Sequence, residues 1–346
     1  MIKTYKYIDT PHSKLHEFVM AFFNRIEFET GAFDNSFYEK EFYDELVVHH
    51  RKILGKRFKD IYAITQTLTQ AARTKFCKAI RDSNEIQNIC GGKSIPLKTA
   101  SIPATMMPLV QDLFISLYDD VIKGKYFIAK YGSLKDHYHM VRKDKANDFE
   151  FCPACGLVEM KNADDKKKDQ HDHYLPKDVY PYSSVNFRNL VPICIDCNSI
   201  EVKSNKDILK YSGVVFYPFD EKHKGIDISI SIKKNHQNDI SKIQWNIQYS
   251  NKDAKNKELK AWLDIYNIEN RHQTHVNGNI RKWYEFFDKT ITDKDVVAEI
   301  PDYEKRKMAY LNQLKNRKEL EYQAMAVLID SFDKAARSEA VRYSRF

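Results

Sequence analysis

Cys152-Pro-Ala-Cys155 and Cys194-Ile-Asp-Cys197 are two matching cysteine motifs in the middle of a 346-residue chain. Two residues between the cysteines of a pair let both sulfurs face one ion, which is the knuckle spacing of a tetrahedral thiolate site. Two such pairs in one chain predict a structural zinc site with all four cysteines as ligands. A redox motif is the alternative, but it would not need the second pair.

The segment between the two pairs carries polar side chains suited to hydrolysis. It contains Gln170-His171-Asp172-His173-Tyr174-Leu175-Pro176 and, further on, Asn189-Leu190; Asn198 follows the last cysteine directly. Hydrolysis of a phosphodiester at neutral pH needs an activated water and a positive centre. A histidine with a pKa of about 6.5 can take the proton from that water. A divalent cation held by oxygen ligands can supply the charge.

This order of motifs resembles the HNH endonuclease superfamily, and within it the zinc-stapled branch of restriction-type and anti-phage defence nucleases. The resemblance covers about residues 150–210. It implies a small ββα-metal module in which His173 is the general base and Asp172 is a ligand of the catalytic metal. It also implies that Asn189 holds the loop that orients the base, and that Asn198 ligates the metal from the start of a helix. The oxygen ligands favour Mg²⁺ or Mn²⁺ there.

The chain departs from the family pattern after Asn198. The family commonly has a lysine three residues later, where this chain has Glu201; Lys203 and Lys206 follow. A third protein ligand, present in some members, is replaced by Val202. Water, Asp196 or His171 could complete the coordination shell.

Some of these residues could instead have a purely structural role. A lone histidine such as His173 is more often structural, and Asn198 could cap a helix. Three further histidine pairs and two isolated cysteines have no ligand motif beside them and are expected to be ordinary: His49-His50, His137-x-His139, His272-x2-His275, Cys77 and Cys90.

The predicted fold class is α+β, with the module at 146–210 inserted between a mainly helical region, 1–145, and a hairpin-plus-helix region, 211–346. Apolar residues at spacings of three and four predict helices in the first region, as in the run from Leu15 to Ile26.

In the last region, period-two alternation predicts strands at 213–217, 226–232 and 243–249, the last two forming an antiparallel pair. Helical spacing from 257 to 287 is expected to break at Asn277-Gly278. One or two long helices are expected from Tyr303 to the end of the chain.

The charge balance is compatible with a polyanionic partner but does not establish one. Lys and Arg number 56 against 48 Asp and Glu, for a net charge of +8. Residues 146–210 hold nine basic and eleven acidic residues, a net −2, so the flanks carry +10. The resemblance implies a nucleic-acid partner, DNA in particular, and if such a polyanion binds we expect the flanks to supply most of the phosphate contacts.

The opening residues lack the apolar core of a signal peptide, and no run is long enough to span a membrane. These features predict a cytoplasmic protein without a membrane partner. Defence nucleases that resemble this chain are often paired with an ATPase sensor, and the long terminal helices could mediate homo-oligomers. Two alternatives to an active nuclease remain open: a zinc-dependent nucleic-acid binder with a dead site, and an effector that is inactive until a partner controls it.

Overall fold

The structure is a computed structural model that describes residues 2–97, 106–223, 225–234, 242–251, 256–315 and 317–331. Helices dominate the described chain, and two separate two-stranded antiparallel sheets complete it. The α+β class predicted from the sequence is therefore confirmed.

In the described part of the chain, eight α-helices precede the cysteine motifs. They are α1 Lys14–Ile26, α2 Lys40–Phe42, α3 Lys56–Gln66, α4 Gln70–Asp82, α5 Ile86–Cys90, α6 Met107–Ser116, α7 Lys125–Tyr131 and α8 Leu134–Lys143. Three π-helical turns join them, at Tyr43–Val47, Arg51–Gly55 and Leu117–Val121. The expected apolar face of α1 is buried, including Phe18, Val19 and Phe22. Its period of 3.6 residues therefore points one stripe into the core.

Two hairpins follow. Strands β1 Gln170–His173 and β2 Leu190–Ile193 pair antiparallel, with Asp172 opposite Val191. Strands β3 Asp227–Lys234 and β4 Gln244–Ser250 form the second pair, with Ile230 opposite Ile247. The alternation in these two later segments had predicted this pairing, which is confirmed.

The C-terminal part is helical. It comprises α9 Asn256–Ile265, α10 Ile268–Thr292, α11 Lys294–Glu299, α12 Tyr303–Leu314 and α13 Leu320–Ser331. The remainder of the helix predicted to reach the end of the chain lies outside the described residues. No helix among those residues is long and apolar enough to cross a membrane.

Three hydrophobic clusters form the core. The first joins α1–α4, α6 and α7 and includes Phe187 and Leu190, the first residue of β2. The second surrounds the four cysteines and takes in Tyr5 and Trp262 from opposite ends of the chain. The third packs β3 and β4 against α10, α12 and α13. The cysteine motifs and β1–β2 thus lie between two large helical bodies that fix their position.

Three expectations about secondary structure were wrong. The helix of the expected ββα unit is not formed in the described segment 194–207, which consists of turns. Ser204 adopts a left-handed φ of 35°, and that conformation interrupts a right-handed helix.

The strand expected at 213–217 is also missing from the described chain; this segment packs by its side chains, and Val215 N donates one bond to Cys90 O at 2.9 Å. Finally, α10 continues through Gly278. Val276 and Ile280 are buried on either side, and their packing outweighs the cost of about 1 kcal/mol for a glycine in a helix. The break occurs instead at Asn267, whose φ is 49°.

Candidate functional site

The four cysteines of the two motifs form one buried cluster. Their sulfur atoms all lie within 4.8 Å of one another, and the Cys155 and Cys194 sulfurs are 3.9 Å apart. Zinc–sulfur bonds of about 2.3 Å in a tetrahedron require sulfurs about 3.8 Å apart. The cluster could therefore bind a metal ion such as zinc. In the described part of the chain, it is the one group of three or more His, Cys, Asp or Glu side chains with such spacing.

Backbone and side-chain donors surround the sulfurs. The amide of Cys194 donates to Cys152 Sγ at 3.4 Å, and the amide of Cys197 donates to Cys194 Sγ at 3.5 Å. The guanidinium of Arg271, on α10, donates to Cys197 Sγ at 3.3 Å. Burial would lower the pKa of Arg271, but the cysteine sulfurs beside it raise the pKa overall. These donors stabilise negative charge on the sulfurs, as thiolate ligands require.

Two C-terminal helices clamp the first cysteine motif. The Trp262 indole, on α9, donates to Ala154 O at 2.7 Å. His272 Nε2, on α10, donates to Cys155 O at 2.8 Å, which leaves Nδ1 to accept from the Tyr249 hydroxyl at 3.1 Å. Burial lowers the pKa of His272 to about 4. His272 belongs to a pair expected to be ordinary, and its role here is structural.

The predicted base and the two predicted ligands of the catalytic metal line a separate cavity of about 160 Å³, whereas Asn189 is absent from its lining. Asp172, His173 and Asn198 all line it, together with His171. Strand β1 contributes the first two side chains, and the turn after the last cysteine contributes Asn198. Asp196, one of the candidates for completing the coordination shell, is exposed and is absent from the cavity lining.

The two carboxylate oxygens of Asp172 have different surroundings. The residue is 2% exposed. Oδ1 accepts from the Lys203 ammonium at 2.8 Å, whereas Oδ2 is buried without a hydrogen bond to any described residue. Burial raises the pKa of Asp172 and the ammonium opposes that rise. A lone carboxylate oxygen beside an amide side chain is a donor set suited to a hard cation such as Mg²⁺ or Mn²⁺.

His173 is held in one orientation. Its Nε2 donates to Ser184 O at 2.9 Å, and the Tyr118 ring packs edge-to-face against the imidazole with centroids 4.3 Å apart. Because a carbonyl can only accept, Nε2 carries the proton and Nδ1 carries the lone pair. Burial lowers the pKa of His173 to about 3, so the ring is neutral at pH 7. An unprotonated Nδ1 can act as a base.

Asn189 holds the loop between the strands. Its side-chain oxygen accepts from Leu175 N at 2.7 Å, and its amide donates to Leu175 O at 3.0 Å. The same amide reaches Ser183 O at 3.4 Å and Ser183 Oγ at 3.2 Å. Asn189 is fully buried and lies next to the segment that carries Ser184. These hydrogen bonds tie Asn189 to the loop between β1 and β2.

Sequence reasoning noted Lys203 after Glu201 but assigned it no role. Its side chain is 0% exposed, and its ammonium donates to Asp172 Oδ1 and, at 2.9 Å, to His173 O. Burial lowers the pKa of Lys203 and Asp172 opposes that fall. The family's lysine position, occupied here by Glu201, was the only signal that a basic residue belongs near this turn.

The sequence suggested His171 only as one candidate for completing the coordination shell. Its Nε2 lies 3.0 Å from Nδ1 of His137 on α8, and its own Nδ1 is buried without a hydrogen bond to any residue in the described ranges. Burial lowers the pKa of both rings, so both are neutral at pH 7. His171 thus lines the cavity and carries a buried ring nitrogen that has no partner among the described residues.

Comparisons with protein-family models, curated proteins and solved structures found no match to this chain. The chemistry of the cavity and of the cysteine cluster must therefore be argued from the geometry of this chain alone.

Proposed function

We propose that this protein is a metal-dependent endonuclease of the HNH type, which hydrolyses phosphodiester bonds in DNA. One observation carries the proposal: Asp172, whose buried Oδ2 has no hydrogen-bond partner among the described residues, lines the same small cavity as His173, a neutral histidine whose Nε2 carries the proton. An orphaned carboxylate oxygen costs free energy unless a ligand satisfies it. A cation beside a base is the pairing that phosphodiester hydrolysis needs.

The reaction assigns one task to each side chain. His173 Nδ1 takes a proton from a water molecule, whose oxygen forms the new bond to phosphorus while the bond to the leaving oxygen breaks. The Ser184 carbonyl keeps the imidazole in the tautomer that this step needs. Asp172 and Asn198 would hold Mg²⁺ or Mn²⁺, which supplies positive charge to the scissile phosphate and the leaving oxygen. Asn189 fixes the loop that carries these groups.

Zinc in the four-cysteine cluster has a structural role in this proposal. The cluster is closed, because four protein sulfurs leave no open position for substrate. It joins the end of β2 to the first cysteine motif and to α10. Zinc would therefore hold Asn198, which follows Cys197 directly, at the cavity.

The ion pair between Lys203 and Asp172 favours a second candidate, an effector that is inactive alone. The buried ammonium occupies one oxygen of the proposed metal ligand and competes electrostatically with a cation. A partner protein that shifts the turn carrying Lys203 would free this oxygen. The prokaryotic defence role, an ATPase sensor as partner and the cytoplasmic location follow from the resemblance and remain part of the proposal.

Cleavage of supercoiled plasmid tests the function. We expect the zinc-loaded chain to nick or cut the plasmid with added Mg²⁺ or Mn²⁺ and to lose this activity in His173→Ala. His139→Ala is a matched control, since His139 lies on α8 and is absent from the cavity lining. Equal activity in His173→Ala and wild type would exclude His173 as the base.

The same assay separates the candidates. Binding of DNA without cleavage under any metal would favour a zinc-dependent nucleic-acid binder. Cleavage that begins only when a co-purifying protein is added would favour the partner-controlled effector.

A further inference from the structure

A group of three charged side chains lies beside the cavity, and one of them, Lys177, lines it. Asp119, in the π-helical turn Leu117–Val121, accepts from two lysines. Lys177 Nζ lies 2.9 Å from Oδ1 and 2.7 Å from Oδ2, and Lys123 Nζ lies 3.0 Å from Oδ1. Two ammonium groups therefore converge on one carboxylate. Single-turn π-helices occur often at functional sites.

This group belongs to the rim of the candidate active site. Lys177 lines the cavity and follows Pro176 of the Asp-His-x2-Pro motif. Both ammonium groups lie over the ring of Tyr118, at 5.2 Å for Lys177 and 4.6 Å for Lys123. The same ring packs against His173. The two lysines thus lie one aromatic ring away from the proposed base.

The three charged side chains are partly exposed to solvent, so each can exchange its ionic partner for another ion. The side chains of Lys177, Asp119 and Lys123 are 27%, 37% and 47% exposed. Burial would raise the pKa of Asp119, but the two lysines lower it, so the carboxylate is charged at neutral pH. An exposed ion pair of this kind contributes little to stability, and a competing anion can replace one partner at small cost.

We propose that Lys177 and Lys123 form a binding site for a backbone phosphate of nucleic acid, and that Asp119 occupies this site as an internal substitute for the phosphate. The inference rests on the proposed function in taking a polyanion as the ligand. A phosphate accepts hydrogen bonds from ammonium groups as a carboxylate does and carries its charge on oxygen in the same way. When nucleic acid binds, the lysines exchange the Asp119 carboxylate for phosphate oxygens. Asp119 therefore weakens binding in the free protein and tunes the affinity at the mouth of the active site.

Binding measurements without Mg²⁺ or Mn²⁺ test this inference separately from cleavage. The probe is a fluorescent 30-base-pair DNA duplex, titrated with zinc-loaded protein over a range of NaCl concentrations. Asp119→Asn is expected to bind the duplex about fivefold to tenfold more tightly at 0.1 M salt. The slope of log K against log salt should stay about the same as in wild type, because the same lysines contact phosphate in both complexes. Lys177→Gln should weaken binding and make that slope shallower by about one, because one phosphate contact is lost.

A matched control removes the effect of net charge. Asp82, on α4, pairs with Lys78 at four residues' spacing and is 38% exposed, close to the 37% of Asp119. Asp82→Asn changes the net charge by the same amount but is expected to leave affinity within about twofold. In the double variant Asp119→Asn/Lys177→Gln, the gain from Asp119→Asn should largely disappear.

Unchanged or weaker binding by Asp119→Asn would overturn the inference, as would an equal gain from Asp82→Asn. Unchanged binding by Lys177→Gln would overturn it even if Asp119→Asn failed to fold. Failure of the proposed function gives a different result, in which DNA binding responds to Asp119→Asn but no metal permits cleavage.

Discussion

The buried contact between Lys203 and Asp172 leads to a quantitative prediction about Lys203→Met. The ammonium is 0% exposed and the carboxylate 2% exposed. Methionine keeps most of the volume of the side chain but leaves a buried carboxylate with neither oxygen paired. Loss of one partner from a buried ion pair costs about 3–5 kcal/mol. We therefore expect the free energy of unfolding of the zinc-loaded chain to fall by about this amount at pH 7.5.

Manganese should reverse part of this loss. If a cation binds at Asp172, it can replace the missing ammonium as the counter-charge. At a concentration one hundred times its dissociation constant, a ligand that binds only the folded state adds about 2.7 kcal/mol. Mn²⁺ should therefore stabilise Lys203→Met more than wild type, in which Lys203 already engages Oδ1.

Urea denaturation with and without Mn²⁺ measures both effects. Lys206→Met is the matched control, because Lys206 is only partly buried and, among the described residues, its ammonium donates to one carbonyl, Glu201 O, at 3.4 Å. We expect this control to change stability by about 0.5 kcal/mol or less. A similar small change in Lys203→Met would refute the buried-charge argument. Equal stabilisation of Lys203→Met and Lys203→Met/Asp172→Asn by Mn²⁺ would refute a cation at Asp172.

Three further predictions concern the supports of the site. Asn189→Ala should lower the free energy of unfolding by about 3 kcal/mol or more, measured by urea denaturation, because it leaves buried groups of Leu175 and Ser183 unpaired; a loss below about 1 kcal/mol would contradict this. Cys155→Ser should reduce the zinc content measured by metal analysis, whereas Cys77→Ser, in α4, should retain it; equal zinc in both would exclude the cluster as the zinc site. Burial lowers the pKa of His137 to about 3 in the folded chain, against about 6.5 in the unfolded chain. The unfolded chain therefore binds the proton more readily, so acid destabilises the fold. The free energy of unfolding should fall by about 2 kcal/mol at pH 5 relative to pH 7 on account of this residue. His137→Gln should remove this share of the acid sensitivity in denaturation experiments at pH 7 and pH 5, and an unchanged pH dependence would contradict it.

Local patterns in the sequence predicted the features that depend on spacing. The cysteine motifs predicted one cluster, because two residues between ligands constrain the sulfurs directly. Alternation predicted the pairing of β3 with β4, and the motif order predicted that Asp172, His173 and Asn198 would meet.

Features set by contacts distant in sequence could not be predicted in this way. The Tyr5 hydroxyl donates to Pro192 O at 2.9 Å across 187 positions, and Tyr118 reaches His173 from a π-helical turn. No periodicity encodes such pairs. Lys203 reaches Asp172 because the segment after Asn198 turns instead of forming the expected helix. Tertiary packing determined the conformation of this segment, as it determined that α10 continues through Gly278.

Binding of Mn²⁺ to the zinc-loaded chain, followed by electron paramagnetic resonance, tests the central claim most directly, since it requires neither a partner nor turnover. We predict one bound Mn²⁺ per chain in wild type, loss of this site in Asp172→Asn, and unchanged zinc content in both proteins. Wild-type protein that binds no Mn²⁺, or an Asp172→Asn variant that binds it equally well, would contradict a catalytic metal at this cavity.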